Sequence, residues 1–348
     1  MMRIAPSCGL SAALILALLS GCAETDLRHV PPIPPSAEQG ALVEPGRAPA
    51  LYRIAPGDRA VGGTASYVVR DKDTLLDVAR DYDLGYTQLI AANRGMDPWV
   101  PPPGNKVILP ARYLLPDGPR KGIVINLVQH RLYYFPDENT VETYPIGVGV
   151  EDHNTPLGPT KITKKEVHPV WHVPKSIRAE DKDLPANVPP GPDNPLGDYA
   201  MQMGGSSFLI HGTNKPYGVG RNVSHGCVHM YPEDIEKLFP RIKIGTPVRI
   251  IDQEVMTAWI GNELYLAVYP NKGQAEALDV NMAVKEELPP HLKDQVQKAM
   301  GGRKGQIDWA LVDLAGKTRT GIPVRIGTAD APPPAATKIT ASLRSASR

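Results

Sequence analysis

The chain has 348 residues, with 38 Lys and Arg against 37 Asp and Glu, a formal net charge of +1. That balance excludes a basic nucleic-acid stripe and an acidic solvating tail, and the apolar content suffices for two or three packed domains. Its 37 prolines and only 3 phenylalanines argue against long helices and for short strands, turns and extended linkers.

The N-terminus, "MMRIAPSCGLSAALILALLSGC", carries one positive charge, Arg3, followed by an apolar run from Leu10 to Leu19. That run is too short to span a bilayer and suits a signal peptide over residues 1–21. It ends in "LSGC", Leu19 to Cys22, which resembles a bacterial lipobox. The resemblance implies cleavage before Cys22 and a lipid on its sulfur; the other reading is a secretory signal with an incidental cysteine. Ala23, where Asp would signal inner-membrane retention, implies the outer membrane. The expected location is therefore the periplasmic side of a bacterial envelope, held by a lipid anchor. Cys8 leaves with the signal and Cys22 is lipidated, so Cys227 remains as the single free thiol, in an oxidising compartment. Such a thiol needs a chemical reason or deep burial. Residues 22–62 contain "HVPPIPPSAEQGALVEPGRAPA" and read as a Pro-rich tether, with a local strand over "ALYRI" as the alternative.

A compact unit is expected over 63–112. A β-branched strand at Tyr67 to Val69 precedes Thr74 and Asp77, spaced as a capping box. Leu75, Val78, Ala79 and Tyr82 follow at helical spacing, Gly85 is expected to stop that helix, and a second runs from Thr87 to Asn93. "KVILP" is the returning strand. This β-α-α-β order, with "KDTL" and the Leu89 to Asn93 spacing, resembles a LysM domain, a module that binds peptidoglycan glycan. Glycan binding and a purely packing role both stay open.

From Gly122 the pattern turns to β: "GIVINL", "RLYYF", "TYPIGVG", "FLIH" and "PVRII" are short apolar runs separated by turn residues. A helix is expected over 232–239, "PEDIEKLF", with Pro232 at its first position and Glu233 and Asp234 in its first turn. Residues 119–252 thus predict a mainly β domain, a sandwich or barrel. A C-terminal extension (253–328) follows, with a hairpin in "AWIGNELYLAVYP", a helix in "HLKDQVQKAM" and a strand in "IPVRI". A disordered tail is expected over 329–348.

The chemistry concentrates in "HGTNKPYGVGRNVSHGCVHM", residues 211–230. A free thiol has a pKa near ~8.5 and needs a neighbouring base to act as a nucleophile at neutral pH. His211 ends an apolar strand, which fixes its ring, and Cys227 follows behind a glycine-containing loop long enough to fold back on it. Gly226 lets the Gly226 and Cys227 N–H groups point at one spot, as an oxyanion hole requires. A zinc site is the competing reading, since His225, Cys227 and His229 alternate and His211 would make a fourth ligand. The glycine and Pro232 argue for a tight turn into a helix instead, and the spacing lacks paired ligands. No metal or cofactor is expected.

This stretch is similar to the signature of the YkuD family of L,D-transpeptidases, in which His-Gly-Thr precedes Ser-His-Gly-Cys. "TPLG" (Thr155 to Gly158), "PVWHVP" and "GPDNPLGDYAM" resemble the envelope-anchored members, over roughly Gly122 to Asp252. The resemblance implies Cys227 as nucleophile, His211 as base, the Gly212 carbonyl as the group orienting His211, and Gly226 N–H in the oxyanion hole. It places Arg221, Ser224, His225, His229 and Tyr199 on the substrate side. Arg221 would meet a stem-peptide carboxylate or be a surface cation, and Ser224 and His225 would shape the loop. One position departs: His229 stands where the family shows Arg or Asn, and a histidine cannot copy an arginine fork. The implied reaction acylates Cys227 on a peptidoglycan tetrapeptide stem, releases D-alanine, and passes the acyl group to an amine. That amine belongs to diaminopimelate, giving a 3→3 cross-link, or to an outer-membrane protein or lipoprotein; water would make the enzyme a hydrolase. Carbapenems would acylate the same cysteine. The alternatives are a non-catalytic peptidoglycan-binding lipoprotein and a zinc-dependent wall hydrolase.

Overall fold

The computed structural model describes residues 51–149, 155–205, 207–280 and 284–330. The expected signal peptide, Cys22, most of the tether and the tail beyond residue 330 lie outside them.

Strand structure begins earlier than residue 63. β1 (Leu51–Arg53) pairs antiparallel with Thr140–Glu142, where it lines an otherwise open sheet edge. β2 (Ala60–Val68) then pairs along its whole length with β3 (Lys106–Leu114). Between them lie α1 (Leu75–Asp81) and α2 (Tyr86–Ala92). Thr74 caps α1 by accepting the Asp77 N–H, and its own hydroxyl donates to the Asp77 carboxylate at 2.7 Å. Gly85 does not stop α1. That helix closes at Tyr82, Asp83 makes the turn at φ +58°, and Gly85 opens α2 in an extended conformation. A short polar side chain tolerates the left-handed region, so the turn needs no glycine.

The middle of the chain builds β4 (Gly122–Asn126), β5 (Arg131–Asp137), β6 (Thr140–Pro145), β7 (Val148–Gly149), β8 (Gly158–Val167), β9 (Trp171–His172), α3 (Lys175–Glu180) and β10 (Asn187–Val188). After these come β11 (Tyr199–Met203), β12 (Leu209–His211), β13 (Asn222–Ser224), β14 (Val228–His229), α4 (Pro232–Leu238) and β15 (Pro247–Ile251). Nine strands form one sheet in the order β1-β6-β5-β4-β15-β8-β11-β12-β14. The period-2 alternation divides its apolar side chains between two cores. Ile123, Ile125 and Leu132 join Met201, Ile210, Val228 and Leu238 on one face. Val124, Tyr133 and Phe135 point the other way, into a core shared with Leu75, Leu89 and Val107 of the N-terminal unit. Burial on both faces explains why "GIVINL" reads as a continuous apolar run.

The fully buried Arg131 reinforces that junction. Its guanidinium donates to the Asp83 carbonyl at 2.9 Å and to Thr143 Oγ1 at 3.1 Å, and lies 4.0 Å from the Tyr113 ring centroid. The C-terminal extension comprises β16 (Val255–Ile260), β17 (Glu263–Val268), α5 (Lys272–Asp279), α6 (Leu292–Met300), β18 (Gly305–Ile307), α7 (Trp309–Thr318) and β19 (Val324–Ala329). Its four strands pair in the order β16-β17-β19-β18. One face packs on Leu292, Val296 and Val312 of α6 and α7, while Met256, Tyr265 and Tyr269 close with Leu114 of β3.

Candidate active site

The end of the nine-stranded sheet brings the two halves of the motif together. β12 runs antiparallel to β11 and parallel to β14, with Ile210 opposite Val228 and His211 opposite His229. That register sets Cys227, one residue before β14, beside the start of β12. The thiol is directed at the Ser207 carbonyl, 3.9 Å away.

His211 is buried, and its Nδ1–H donates to the Gly212 carbonyl at 2.5 Å. With the proton held there, the neutral ring keeps a lone pair on Nε2, the arrangement a general base needs. Gly212 is itself fixed: its N–H donates to the Tyr199 carbonyl at 3.0 Å, and a side chain at this position would crowd Ile235 and the Leu196 carbonyl, each 3.3 Å from the added carbon. Burial, with the His229 ring nearby, pushes the His211 pKa down to about 3, against a smaller opposing effect of the Gly212 carbonyl. Burial also pushes the Cys227 thiol up, with the backbone of Leu209 opposing it. The resting pair is thus a neutral imidazole and a protonated thiol.

Two hydroxyls hold the peptides around the thiol. Thr155 Oγ1 donates to the Gly226 carbonyl at 2.7 Å, and Ser224 Oγ donates to the Cys227 carbonyl at 2.5 Å. A trans peptide carries its N–H opposite its carbonyl, so Thr155 aims the Cys227 N–H by anchoring the Gly226 oxygen. Gly226 makes the turn at φ +95°, where a side chain would be strained.

Other residues expected on the substrate side are engaged elsewhere. The His225 ring is exposed and pairs with Glu180 of α3 at 3.0 Å. The Arg221 guanidinium meets the Asp279 carboxylate of α5 and lies 5.1 Å from the Tyr86 ring centroid, so it is neither a loose surface cation nor an open carboxylate ligand. Because its neighbour Ala200 pairs with His211, the Tyr199 side chain leaves the sheet on the opposite face and packs on Phe239, with centroids 4.8 Å apart. Tyr199 serves the site through its backbone carbonyl. The buried His229 ring fills the space a Gly147 side chain would occupy, 2.0 Å from Nε2, and lies 3.0 Å from where a side chain at Gly218 would sit. His225 and His229 therefore diverge, and among the described residues no three His, Cys, Asp or Glu side chains converge as metal ligands.

Thr155, in the "TPLG" motif, carries no local sign of its role, because its partner lies 71 positions on. Asp279, Tyr86 and Glu180 carried no local signal at all. Their contacts exist only in the folded chain.

Comparison with known proteins identifies the family. The family profile for the L,D-transpeptidase catalytic domain (YkuD) matches residues 120–250, and that for the LysM domain matches 67–110. The chain is similar to the probable L,D-transpeptidase YcfS of Escherichia coli (strain K12), 36% identical over 301 residues, covering 82% of this chain and 91% of that protein. It is similar also to YbiS of the same strain, 37% identical over 279 residues, covering 78% and 89%, and to ErfK/SrfK, 36% identical over 290 residues, covering 80% and 91%. With this identity along nearly the whole length of such relatives, the chain belongs to the L,D-transpeptidase family and carries a LysM domain ahead of its catalytic domain.

Proposed function

We propose that this enzyme is a lipid-anchored, envelope L,D-transpeptidase working through a Cys227 thioester. The observation that carries the reading is the Nδ1 bond from His211 to the Gly212 carbonyl, which leaves Nε2 free as base on the strand beside Cys227. His211 Nε2 takes the thiol proton as sulfur attacks the carbonyl of the L-centre of diaminopimelate in a tetrapeptide stem. The oxyanion is held by the Cys227 N–H, with the Gly226 N–H beside it. Collapse breaks the bond to D-alanine, whose amine leaves with the proton from His211, and a thioester remains. An acceptor amine then attacks the thioester, His211 takes its proton, and the sulfur departs and is reprotonated. No step calls for a metal or organic cofactor.

The acceptor is either a second diaminopimelate or an amine of an outer-membrane protein; similarity to anchored family members favours the protein. We also propose that Cys22 is lipidated and that residues beyond it tether the catalytic unit on the periplasmic face of the outer membrane.

The test is intact-mass spectrometry of the full-length protein in detergent, mixed with a disaccharide-tetrapeptide, with Cys227→Ala as control. An adduct equal to the stem minus D-alanine on the wild type alone supports the thioester. Folded wild type with neither adduct nor released D-alanine sinks it. Adding a diaminopimelate amine and a lysine peptide in separate arms then identifies the acceptor from which product forms.

A further inference from the structure

The segment 218–224, which leads into Cys227, is held by groups from all three folded units. Within the catalytic domain, the Val148 N–H of β7 donates to the Arg221 carbonyl at 3.0 Å. From the LysM unit, the first N–H groups of α2 reach across: Tyr86 N–H to the Val219 carbonyl at 3.3 Å and Thr87 N–H to the Gly220 carbonyl at 3.1 Å. The approach is close enough that a side chain at Gly220 would sit 2.2 Å from the Tyr86 nitrogen.

The third grip comes from α5 of the C-terminal extension. Arg221 donates from a terminal nitrogen to the Asp279 carboxylate at 2.8 Å, with its Nε in ion-pair contact with the same carboxylate and Tyr86 beneath the guanidinium. The neighbouring Asn222 donates to the Lys272 carbonyl at 3.4 Å and receives the buried His130 Nε2 at 2.8 Å. Residues 272 and 279 are the first and last of α5. One helix therefore meets the loop at both of its ends. A carboxylate at a helix C-terminus is opposed by the helix dipole, so Asp279 needs a local cation, and Arg221 supplies it. The helix is not loosely laid down: Leu278 joins the core shared by the LysM unit and the catalytic sheet.

We propose that the C-terminal extension is a positioning element of the active site, and that Arg221 is the positioning residue through which it acts. The ion pair with Asp279 sets where β13 begins, and β13 delivers Ser224, Gly226 and Cys227 to the base on β12. This inference rests on Cys227 being the nucleophile.

It predicts the opposite result from Arg221 as a ligand for a substrate carboxylate. A misplacement of about 1 Å at a reacting group costs on the order of 100-fold in rate, so the expected change falls in the acylation step. The full-length wild type, Arg221→Met, Asp279→Asn and the double variant are titrated with a carbapenem, and the inactivation rate constant is separated from the inhibitor's binding constant. Positioning predicts that Asp279→Asn lowers the rate constant roughly 10- to 100-fold, leaves binding within twofold, and is not worsened by adding Arg221→Met. A carboxylate ligand predicts that Asp279→Asn leaves the rate or tightens binding, while Arg221→Met weakens binding; that outcome overturns the proposal. Should either variant fail to fold, Arg221→Lys keeps the charge but loses the fork, and must show the same rate defect at smaller size. A wild type that never acylates would instead refute the nucleophile assignment.

Discussion

Replacing Thr155 by Val keeps the shape of the side chain and removes one hydroxyl that donates to the Gly226 carbonyl at 2.7 Å. Thr155 is buried, so the carbonyl loses its partner without water to replace it. A buried acceptor left unpaired costs about 1–3 kcal/mol, a price the folded state tolerates. The catalytic cost is separate, because the freed peptide carries the Cys227 N–H. Removing an oxyanion donor outright costs about 100- to 1000-fold in rate. Here the donor stays but loses its aim, so the expected loss is roughly 10- to 100-fold, or about 1.4–2.7 kcal/mol of barrier. The assay is the rate of carbapenem acylation by intact mass, with Thr155→Ser as the companion variant. Serine keeps the hydroxyl and should recover most of the rate. If Thr155→Val acylates within twofold of wild type while folded, Thr155 does not aim the oxyanion donor.

Because His211 is pushed down to about 3, its ring is the free base well below the pH at which an ordinary histidine charges, and acylation should show no fall between pH 8 and pH 5. A half-loss near pH 6.5 would contradict the buried, neutral base. Burial raises the Cys227 thiol, so alkylation by iodoacetamide should have its midpoint above the usual ~8.5; a plateau of reactive thiolate at pH 6 would argue for a resting ion pair instead. Gly147→Ala would set a methyl 2.0 Å from His229 Nε2 and 2.7 Å from the Gly218 carbonyl, an overpacking expected to cost about 1–3 kcal/mol or more of stability, read from denaturant unfolding. A variant as stable as wild type would mean that the ring has room to move. His130, at about 4, and His211, at about 3, are both depressed by burial, so below pH 6.5 the unfolded chain takes up protons that the folded chain refuses. Stability should therefore be present above about pH 6.5 and fall as pH drops toward 4, and urea titrations that show no decline there would count against that burial.

The parts legible in the sequence were those whose causes are local. Thr74 caps the helix it precedes, the apolar run of β4 is a strand buried on both faces, and the stretch 211–230 contains the proposed base, the proposed nucleophile and the turn glycine within twenty residues. Local reading failed where the same residue serves two geometries. Gly85 fits the end of one helix or the start of the next, and the choice fell to Asp83 taking the left-handed turn. β8 is not legible because "GPTKITKKEV" looks like a charged loop; it is half-exposed, and Lys165 sets its ammonium over the Phe239 ring and bonds the carbonyls of Phe239 and Ile242. Roles set by distant partners were invisible. Arg221 reads as a cation with no address until α5 brings Asp279 across 58 positions, and His229 reads as a failed arginine until Gly147 and Gly218 are seen to make room for it.

Desolvation raises the Cys227 thiol, and this matters for an enzyme proposed to work outside the cytoplasm. Oxidation proceeds through the thiolate, so a thiol whose pKa is raised presents little of the vulnerable form. Activation must then come from the bound substrate rather than from a standing thiolate–imidazolium pair. The geometry supplies the means: His211 is held neutral with Nε2 free, and the donor that would receive developing negative charge is already aimed through Thr155. Proton removal becomes favourable only when a carbonyl lies where its oxygen meets that donor, because the charge formed on sulfur passes at once to a stabilised oxygen. Slow reaction with a small alkylating agent and fast reaction with a carbonyl electrophile that fills the oxyanion site should therefore occur in one protein. A Thr155→Val variant should lose the second while keeping the first.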